Sequence, residues 1–418
     1  MILLSHPTGN AFVRALLATL HEAGLLGQFE TGIAVRGSEP WLRWLPSGWR
    51  REALRRHFDL PADRLVTHPA MELARLAALR AGVTFLTRHE QGRFSVDAVY
   101  QAVDRAVAEA LPQTRSRRDI RAVYAYEDGA LETFRAARRL GLGRVYDLPI
   151  AYWETSRRLM EEEQQRMPHW RITMEALWDS QEKVDRKTEE LALAEVVVCP
   201  SDFVRDTLPA AAQAGKTCLV APFGSPPLPP GEPARRPRGG KLRVLFAGSM
   251  SQRKGLADLF GAMKQLNRSD VELVVFGSPV APMPFYRHEY ADFIHEPPRP
   301  HAEVLRLMET CDVLVLPSIV EGRALVQQEA LSRGLPVIVT RHAGGADLVV
   351  EGETGFLVPI RSPEAIAEKL DWLASNREAL EAMRPAARRM AAARSWEAYG
   401  AAIAGLLRKK IAETGAGL

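Results

Sequence analysis

Cysteine is scarce: Cys199, Cys218 and Cys311 are the only three in 418 residues. An odd number at wide spacing builds neither a disulfide framework nor a zinc motif, so reduced thiols packed as small apolar groups are expected. No run of about 18 or more apolar residues occurs, so no membrane span is expected. The chain starts Met1-Ile2-Leu3-Leu4-Ser5 with no charged stretch ahead of a long apolar one, and a secretory leader is not expected. Neither sign of charge dominates: 55 Lys and Arg stand against 51 Asp and Glu, a formal net charge of +4. That balance argues against a dedicated nucleic-acid binder, which would carry a basic stripe. Local basic patches facing phosphate or an anionic membrane remain compatible with it. No internal repeat of fixed period is found. Neither half carries Gly-x-Gly-x-x-Gly after a strand with an acid about 20 residues on, which sets aside a nicotinamide-dependent oxidoreductase. A cytoplasmic protein is expected, with peripheral contact at the inner membrane face left open.

What is present is ordinary globular composition, 46% hydrophobic and 25% charged, in a chain long enough for two cores. The proline-dense stretch 224–240, GSPPLPPGEPARRPRGG, reads as an exposed, semi-rigid linker, because proline interrupts helices and sheet ladders. It separates residues 1–223 from 241–394. In the second part, apolar runs at Leu242–Ala247, Val271–Phe276, Val313–Leu316 and Pro336–Val339 alternate with helical spacing at Leu256–Leu266, Val304–Met308 and Leu325–Leu331. Short apolar strands alternating with amphipathic helices predict a parallel sheet covered on both faces, the doubly wound pattern. In the first part, strands are expected at Ile2–Leu4, Ile33–Val35, Val123–Tyr126, Arg144–Tyr146 and Val196–Cys199. Helices are expected at Phe12–Leu20 and Val96–Leu111, with one long charged helix from Met160 to Leu193. The stretch from Trp41 to about Thr67 gives no clear assignment. Its Trp41, Trp44 and Trp49 with Arg43, Arg50 and Arg51 fit a membrane interface, an acceptor groove or packing under a loop. After Ser362 the spacing is helical.

Two strand-to-helix turns carry the chemistry. The first, Phe246-Ala247-Gly248-Ser249-Met250-Ser251-Gln252-Arg253-Lys254-Gly255, places a permissive glycine, Gly248, and two cations beside a helix start. Arg253 and Lys254 suit a pyrophosphate, which an arginine fork grips well. The second runs from Pro317 to Ala330. It sets Glu321 before a helix and Glu329 more than one turn inside it. The helix amides near Leu325 and Val326 can hold a diphosphate, and each carboxylate can accept from two vicinal hydroxyls. Solvated glutamates and a solvated basic turn are the plainer alternatives; position after buried strands favours the site.

These two turns, with Gly344-Gly345, Gly352-Glu353-Thr354-Gly355-Phe356-Leu357-Val358 and Pro200-Ser201-Asp202-Phe203, resemble the family-4 retaining glycosyltransferases of the GT-B fold. The resemblance is strongest from Lys241 to Pro359. It implies an α/β architecture of two Rossmann-like doubly wound domains facing across a cleft. A final helix near Trp396–Leu407, within residues 395–418, would cross back to the first domain. It implies that Arg253 and Lys254 neutralise a donor diphosphate, Glu329 binds ribose, Glu321 holds the transferred sugar, and backbone from His295 to Pro297 meets the base. Gly9 and Asn10 would approach the phosphates from the first domain. The donor would be a UDP-, GDP- or ADP-sugar, and the acceptor a glycan, lipid or small molecule, with no metal and no further cofactor. Two departures stand out. Arg323-Ala324 follow Glu321-Gly322 where relatives often have Phe-Gly, so Arg323 is a candidate for tuning sugar or acceptor recognition. Many members carry a histidine where this chain reads Tyr146-Asp147-Leu148-Pro149. Nearby, Glu127 is a candidate to face the sugar or activate the acceptor. Asp128 reads equally as a site carboxylate or a helix cap, and His6, at the end of the first strand, is a further candidate. A non-catalytic nucleotide-sugar-binding or assembly protein is the alternative.

Overall fold

The computed structural model describes residues 1–35, 39–44, 47–174, 179–231 and 240–415. Two all-parallel sheets organise it. The first has seven strands: β1 (Ile2–Ser5), β2 (Leu26–Thr31), β3 (Leu65–Thr67), β4 (Ala122–Tyr126), β5 (Gly143–Asp147), β6 (Val196–Cys199) and β7 (Thr217–Val220). Their order is β3-β2-β1-β4-β5-β6-β7, with Leu4 beside Phe29 on one side and Tyr124 on the other. The second has six: β8 (Leu242–Ala247), β9 (Val271–Phe276), β10 (Phe293–Glu296), β11 (Val313–Leu316), β12 (Val337–Thr340) and β13 (Gly355–Val358), in the order β10-β9-β8-β11-β12-β13.

Helices of the first half are α1 (Ala11–Glu22), α2 (Ser47–Leu54), α3 (Pro69–Arg80), α4 (Val96–Arg118), α5 (Leu131–Arg139), α6 (Trp153–Arg166), α7 (Gln181–Leu193), α8 (Asp202–Thr207) and α9 (Ala210–Gly215). Those of the second are α10 (Leu256–Leu266), α11 (Met283–Glu289), α12 (His301–Glu309), α13 (Leu325–Ser332), α14 (Pro363–Ser375), α15 (Arg377–Ala392) and α16 (Trp396–Gly415). The first helix shows why they form: Asn10 caps α1, and Val13, Leu16, Leu17 and Leu20 bury one stripe at helical spacing. Among the described residues no helix is long and apolar enough to cross a membrane. The last helix, α16, crosses back: Tyr399, Ile403, Ala404 and Leu407 share a core with Val13, Leu17 and Leu20 of α1.

Two expected elements differ. The second strand is Leu26–Thr31, not Ile33–Val35; Val35 makes only an isolated bridge to His57. Gln28 and Glu30 sit inside that strand, where a Gln28 amide bond to Glu30 and a hydrogen bond from His68 satisfy them. The long helix expected from Met160 to Leu193 is broken. Helix α6 ends at Arg166, Pro168 opens a 3-10 segment to Thr173, and α7 begins at Gln181, as expected for a proline that cannot continue a helix. Of the linker, 232–239 lie outside the described residues. Its first part is held rather than free: Gly224 and Ser225 are buried, Ser225 N donates to Arg394 O (2.7 Å), and Arg388 donates to the carbonyls of Pro229 and Gly231.

The two domains meet along a polar and aromatic seam. Trp170, fully buried, packs edge-on to Phe260, Phe285 and Tyr286 of the second domain and donates to Glu289 (3.2 Å). Arg166 bonds both oxygens of Asp258 at 2.7 and 2.8 Å. Gln252 donates to Glu163 (2.7 Å) and Asp258 (2.8 Å), and Arg361 donates to Glu163 (2.7 Å). Buried carboxylates are tolerable here because each is multiply hydrogen-bonded.

Candidate functional site

In an open parallel sheet a ligand crevice forms where the winding reverses, outside the carboxyl ends of the strands. In the second sheet that point lies between β8 and β11, and the turns following these strands touch. Gly255 has φ +74°, and a Cβ there would lie 2.1 Å from the Pro317 carbonyl oxygen, so only glycine lets the turns close. The Ile319 amide donates to the Arg253 carbonyl (2.9 Å). Arg253 Nη1 donates to Val320 O (3.0 Å) and Glu321 Oε2 (3.2 Å), and Lys254 Nζ donates to the same Glu321 oxygen. Burial alone would raise the Glu321 carboxyl, but Lys254 and Arg253 together hold it below the usual range. Burial pushes the Lys254 ammonium down, with Glu321 opposing. The sequence separates these groups by some 67 positions; sheet order brings them together. Gly248 precedes the same turn.

Helix α13 points its first turn at this crevice. No side chain caps it, leaving the leading amides of Leu325 and Val326 to a ligand. Leu325 packs against the first-domain core that contains Phe223, with Phe12 at its margin, so the tip lies at the domain boundary. Glu329 accepts from His301 Nε2 (2.8 Å), and this bond raises the His301 imidazole. His295 lies on β10, its Nε2 3.0 Å from the Gly277 carbonyl. The Arg323 side chain does not face the crevice. It is buried, with Nη1 bonding Gly344 O (2.9 Å) and Asp347 Oδ1 (2.6 Å). Gly322 meets the first domain directly: a Cβ would lie 1.7 Å from Pro149 O, and Ser201 Oγ donates to Gly322 O (2.8 Å).

In the first sheet the reversal lies between β1 and β4. His6, Gly9 and Asn10 follow β1; Glu127 and Asp128 follow β4. Burial drives the His6 imidazole down to about 4, so it is neutral near pH 7, and the Thr8 amide donates to its Nδ1 (3.0 Å). The Asn10 carboxamide is occupied as the α1 cap, accepting from Val13 N (3.3 Å), and the Gly9 carbonyl accepts from Arg14 (3.0 Å). Glu127 is buried, its Oε1 has no hydrogen-bond partner, and burial raises its carboxyl to about 7 although Lys187 opposes. Asp128 is no helix cap. The amides opening α5 are taken by Asp104, from Glu132 N (2.8 Å) and Thr133 N (2.9 Å), and by Glu190, from Ala130 N (3.1 Å). Asp128 instead has φ +72° and pairs with Arg186 (3.3 Å).

Sequence reasoning did not single out Asp147, Gln252 or Lys187. Asp147 ends β5, accepts a hydrogen bond from Tyr124 OH and is raised by burial to about 7. Its strand-end place was legible; its environment was not. Among the described residues, one group has metal-ligand spacing, His89, Glu90 and Asp179. Lys183 Nζ stands 3.2 Å from the Asp179 Oδ1 atom, where a metal would meet a competing cation. Of the tryptophan–arginine group, Trp44 is exposed with Arg43 stacked over its ring at 5.6 Å.

Comparison with known proteins supports the fold. Residues 232–390 match the family model described as Glycosyl transferases group 1. The chain is 32% identical over 182 residues to D-inositol 3-phosphate glycosyltransferase of Corynebacterium glutamicum (strain R), covering 40% of this chain and 44% of that protein. Sucrose-phosphate synthase (tll1590) from Thermosynechococcus elongatus superposes with a TM-score of 0.68 at 16% identity, over 99% of both chains. Anabaena HepE in complex with UDP gives 0.58 at 15% identity, over 98% of this chain and 99% of that one. The fold is GT-B: two Rossmann-like domains face across a cleft, and the second carries the group 1 glycosyl transferase signature.

Proposed function

We propose that the chain is a glycosyltransferase that moves a sugar, of hexosyl type, from a nucleoside-diphosphate sugar to a hydroxyl acceptor. The observation that carries this is the convergence of Arg253, Lys254 and the uncapped tip of α13 at the switch point of the second sheet, inside the region matching the transferase family. As the bond from the anomeric carbon to phosphate breaks, its electron pair goes to the leaving diphosphate oxygen. Arg253, Lys254 and the amides of Leu325 and Val326 stabilise that charge, the strongest general lever in such a site. The acceptor oxygen bonds the anomeric carbon, and its proton passes to Glu127. Glu321 and Glu329 take hydroxyls of sugar and ribose, Glu329 by exchanging its His301 bond. The positive charge comes from the protein, without a metal or a further cofactor. Placement in family 4, and with it retention of configuration, rests on the sequence resemblance. A UDP donor is favoured by the UDP in the HepE structure and sits beside GDP and ADP sugars as candidates. Acceptor candidates are a glycan, a lipid or a small molecule.

One observation favours a second reading, a non-catalytic nucleotide-sugar binder. At the end of β5, where the family resemblance leads one to expect a histidine, the Asp147 carboxyl is buried and engaged by Tyr124. Incubation with a panel of nucleotide sugars decides between them: release of nucleoside diphosphate with transfer supports the enzyme, and binding without turnover across the panel supports the binder.

A further inference from the structure

The turn that carries Arg253 and Lys254 is fastened by the residue just before them. Gln252 is fully buried, and all of its polar atoms are engaged. Its side-chain Oε1 accepts from Ala257 N (2.9 Å), and its carbonyl accepts from Gly255 N (2.9 Å), so one residue braces the turn internally. Its donors reach the other domain. Gln252 N donates to Thr173 Oγ1 (3.0 Å), and Nε2 donates to Glu163 Oε1 (2.7 Å) as well as to Asp258 Oδ2 (2.8 Å). Glu163 lies on α6 and Thr173 ends the 3-10 segment after it; both are fully buried. These acceptors are fixed in turn. Thr173 Oγ1 donates to Trp170 O (2.9 Å), and Glu163 also accepts from Arg166 (2.6 Å) and Arg361 (2.7 Å). Arg361 holds φ +60°, rare for a residue with a side chain, and its guanidinium spans Glu162, Glu163 and the Leu159 carbonyl.

We infer that Gln252 and Thr173 are positioning residues for the diphosphate site. The first domain sets where Arg253 and Lys254 stand, so the second domain's affinity for a nucleoside diphosphate depends on a first-domain hydroxyl. The inference rests on the glycosyl-transfer reading and deepens its donor site. Gln252 and Thr173 bond only protein groups and act through the two cations. Side chains that bind a ligand keep their geometry when the groups behind them are locked by packing and hydrogen bonds. Removing the Thr173 hydroxyl leaves Gln252 N, the amide directly ahead of Arg253, buried without an acceptor. An unpaired buried amide is costly, and the turn relieves that cost by moving. Misplaced binding groups lose their hold on a ligand steeply with distance.

The test is calorimetric titration of UDP into the full chain and four variants, with Tm measured for each. Arg253→Ala marks the site and should weaken UDP binding by about tenfold or more. Thr173→Val keeps the shape and removes the acceptor; it should weaken UDP by about fivefold to tenfold. Thr173→Ser keeps the oxygen and should bind UDP as the native chain does. Gln252→Met should weaken UDP by about tenfold, and Thr173→Val carries the test if the methionine variant does not fold. UDP binding that needs Arg253 but ignores Thr173→Val overturns the inference and leaves the donor site standing. Serine that fails to rescue assigns the loss to packing and overturns it as well. UDP binding that is absent from the native chain, or intact in Arg253→Ala, sinks the donor site itself and this inference with it.

Discussion

Replacing Glu321 by glutamine should tighten nucleoside-diphosphate binding while lowering turnover. Glu321 is the counter-ion of both cations, 3.2 Å from Arg253 and in contact with Lys254 through the same oxygen. A diphosphate that binds Arg253 and Lys254 must compete with this carboxylate and then sit beside its negative charge. Two unit charges about 6 Å apart, at an effective dielectric near 20, repel by about 3 kcal/mol. Rearrangement and the partial loss of Glu321's own pairing should halve that, leaving about 1.4 kcal/mol, or tenfold in affinity. Glutamine keeps the shape and one acceptor oxygen, so the sugar contact weakens rather than disappears. Calorimetric titration of UDP and GDP into native protein and Glu321→Gln is the assay, with transfer rates measured alongside. Equal or weaker diphosphate binding in the variant would refute the counter-ion argument, whatever happens to the rate.

Arg253→Ala should lower kcat/KM by about 100-fold to 1,000-fold, the usual cost of one charge-stabilising donor, with the circular dichroism spectrum and Tm unchanged. Asp147→Asn should stabilise the protein increasingly as pH rises. The Asp147 carboxyl goes from 3.8 to about 7 on folding, so the native state holds its proton more tightly. Stability from this group is full below about pH 4 and is lost as pH rises toward 7. Asparagine does not titrate. The stability gap in its favour, read from urea denaturation, should widen between pH 5 and pH 8, toward an upper limit of about 4 kcal/mol, and a gap independent of pH would contradict the burial argument. Trp170→Ala should cost about 3–5 kcal/mol in urea denaturation, because the ring is buried among Phe260, Phe285 and Tyr286 across the domain seam.

The second domain was readable because its strands are continuous apolar runs. Leu242–Ala247, Val271–Phe276 and Val313–Leu316 match β8, β9 and β11 residue for residue. Strand β2 was not, because Gln28 and Glu30 hide it: their polarity is satisfied by each other and by His68, a partner 38 positions away from Glu30. The break after Arg166 was signalled by Pro168, but the charged helical spacing on both sides masked it. In the site, residue types and turn positions were legible, and so was the chance that Glu127 matters. Pairings were not. That Glu321 spends itself on Lys254, Arg323 on Asp347, and that Asp104 and Glu190 relieve Asp128 of capping all depend on contacts between distant segments. The seam built from Glu163, Arg166, Asp258 and Arg361 left no local trace for the same reason.

The most direct measurement is a crystal structure of the protein soaked with UDP and, separately, GDP. The account predicts diphosphate density against Arg253, Lys254 and the amides of Leu325 and Val326, with the Glu321 carboxylate moved off the two cations. Nucleotide bound at another surface, with Glu321 still closing the cation pair, would contradict it.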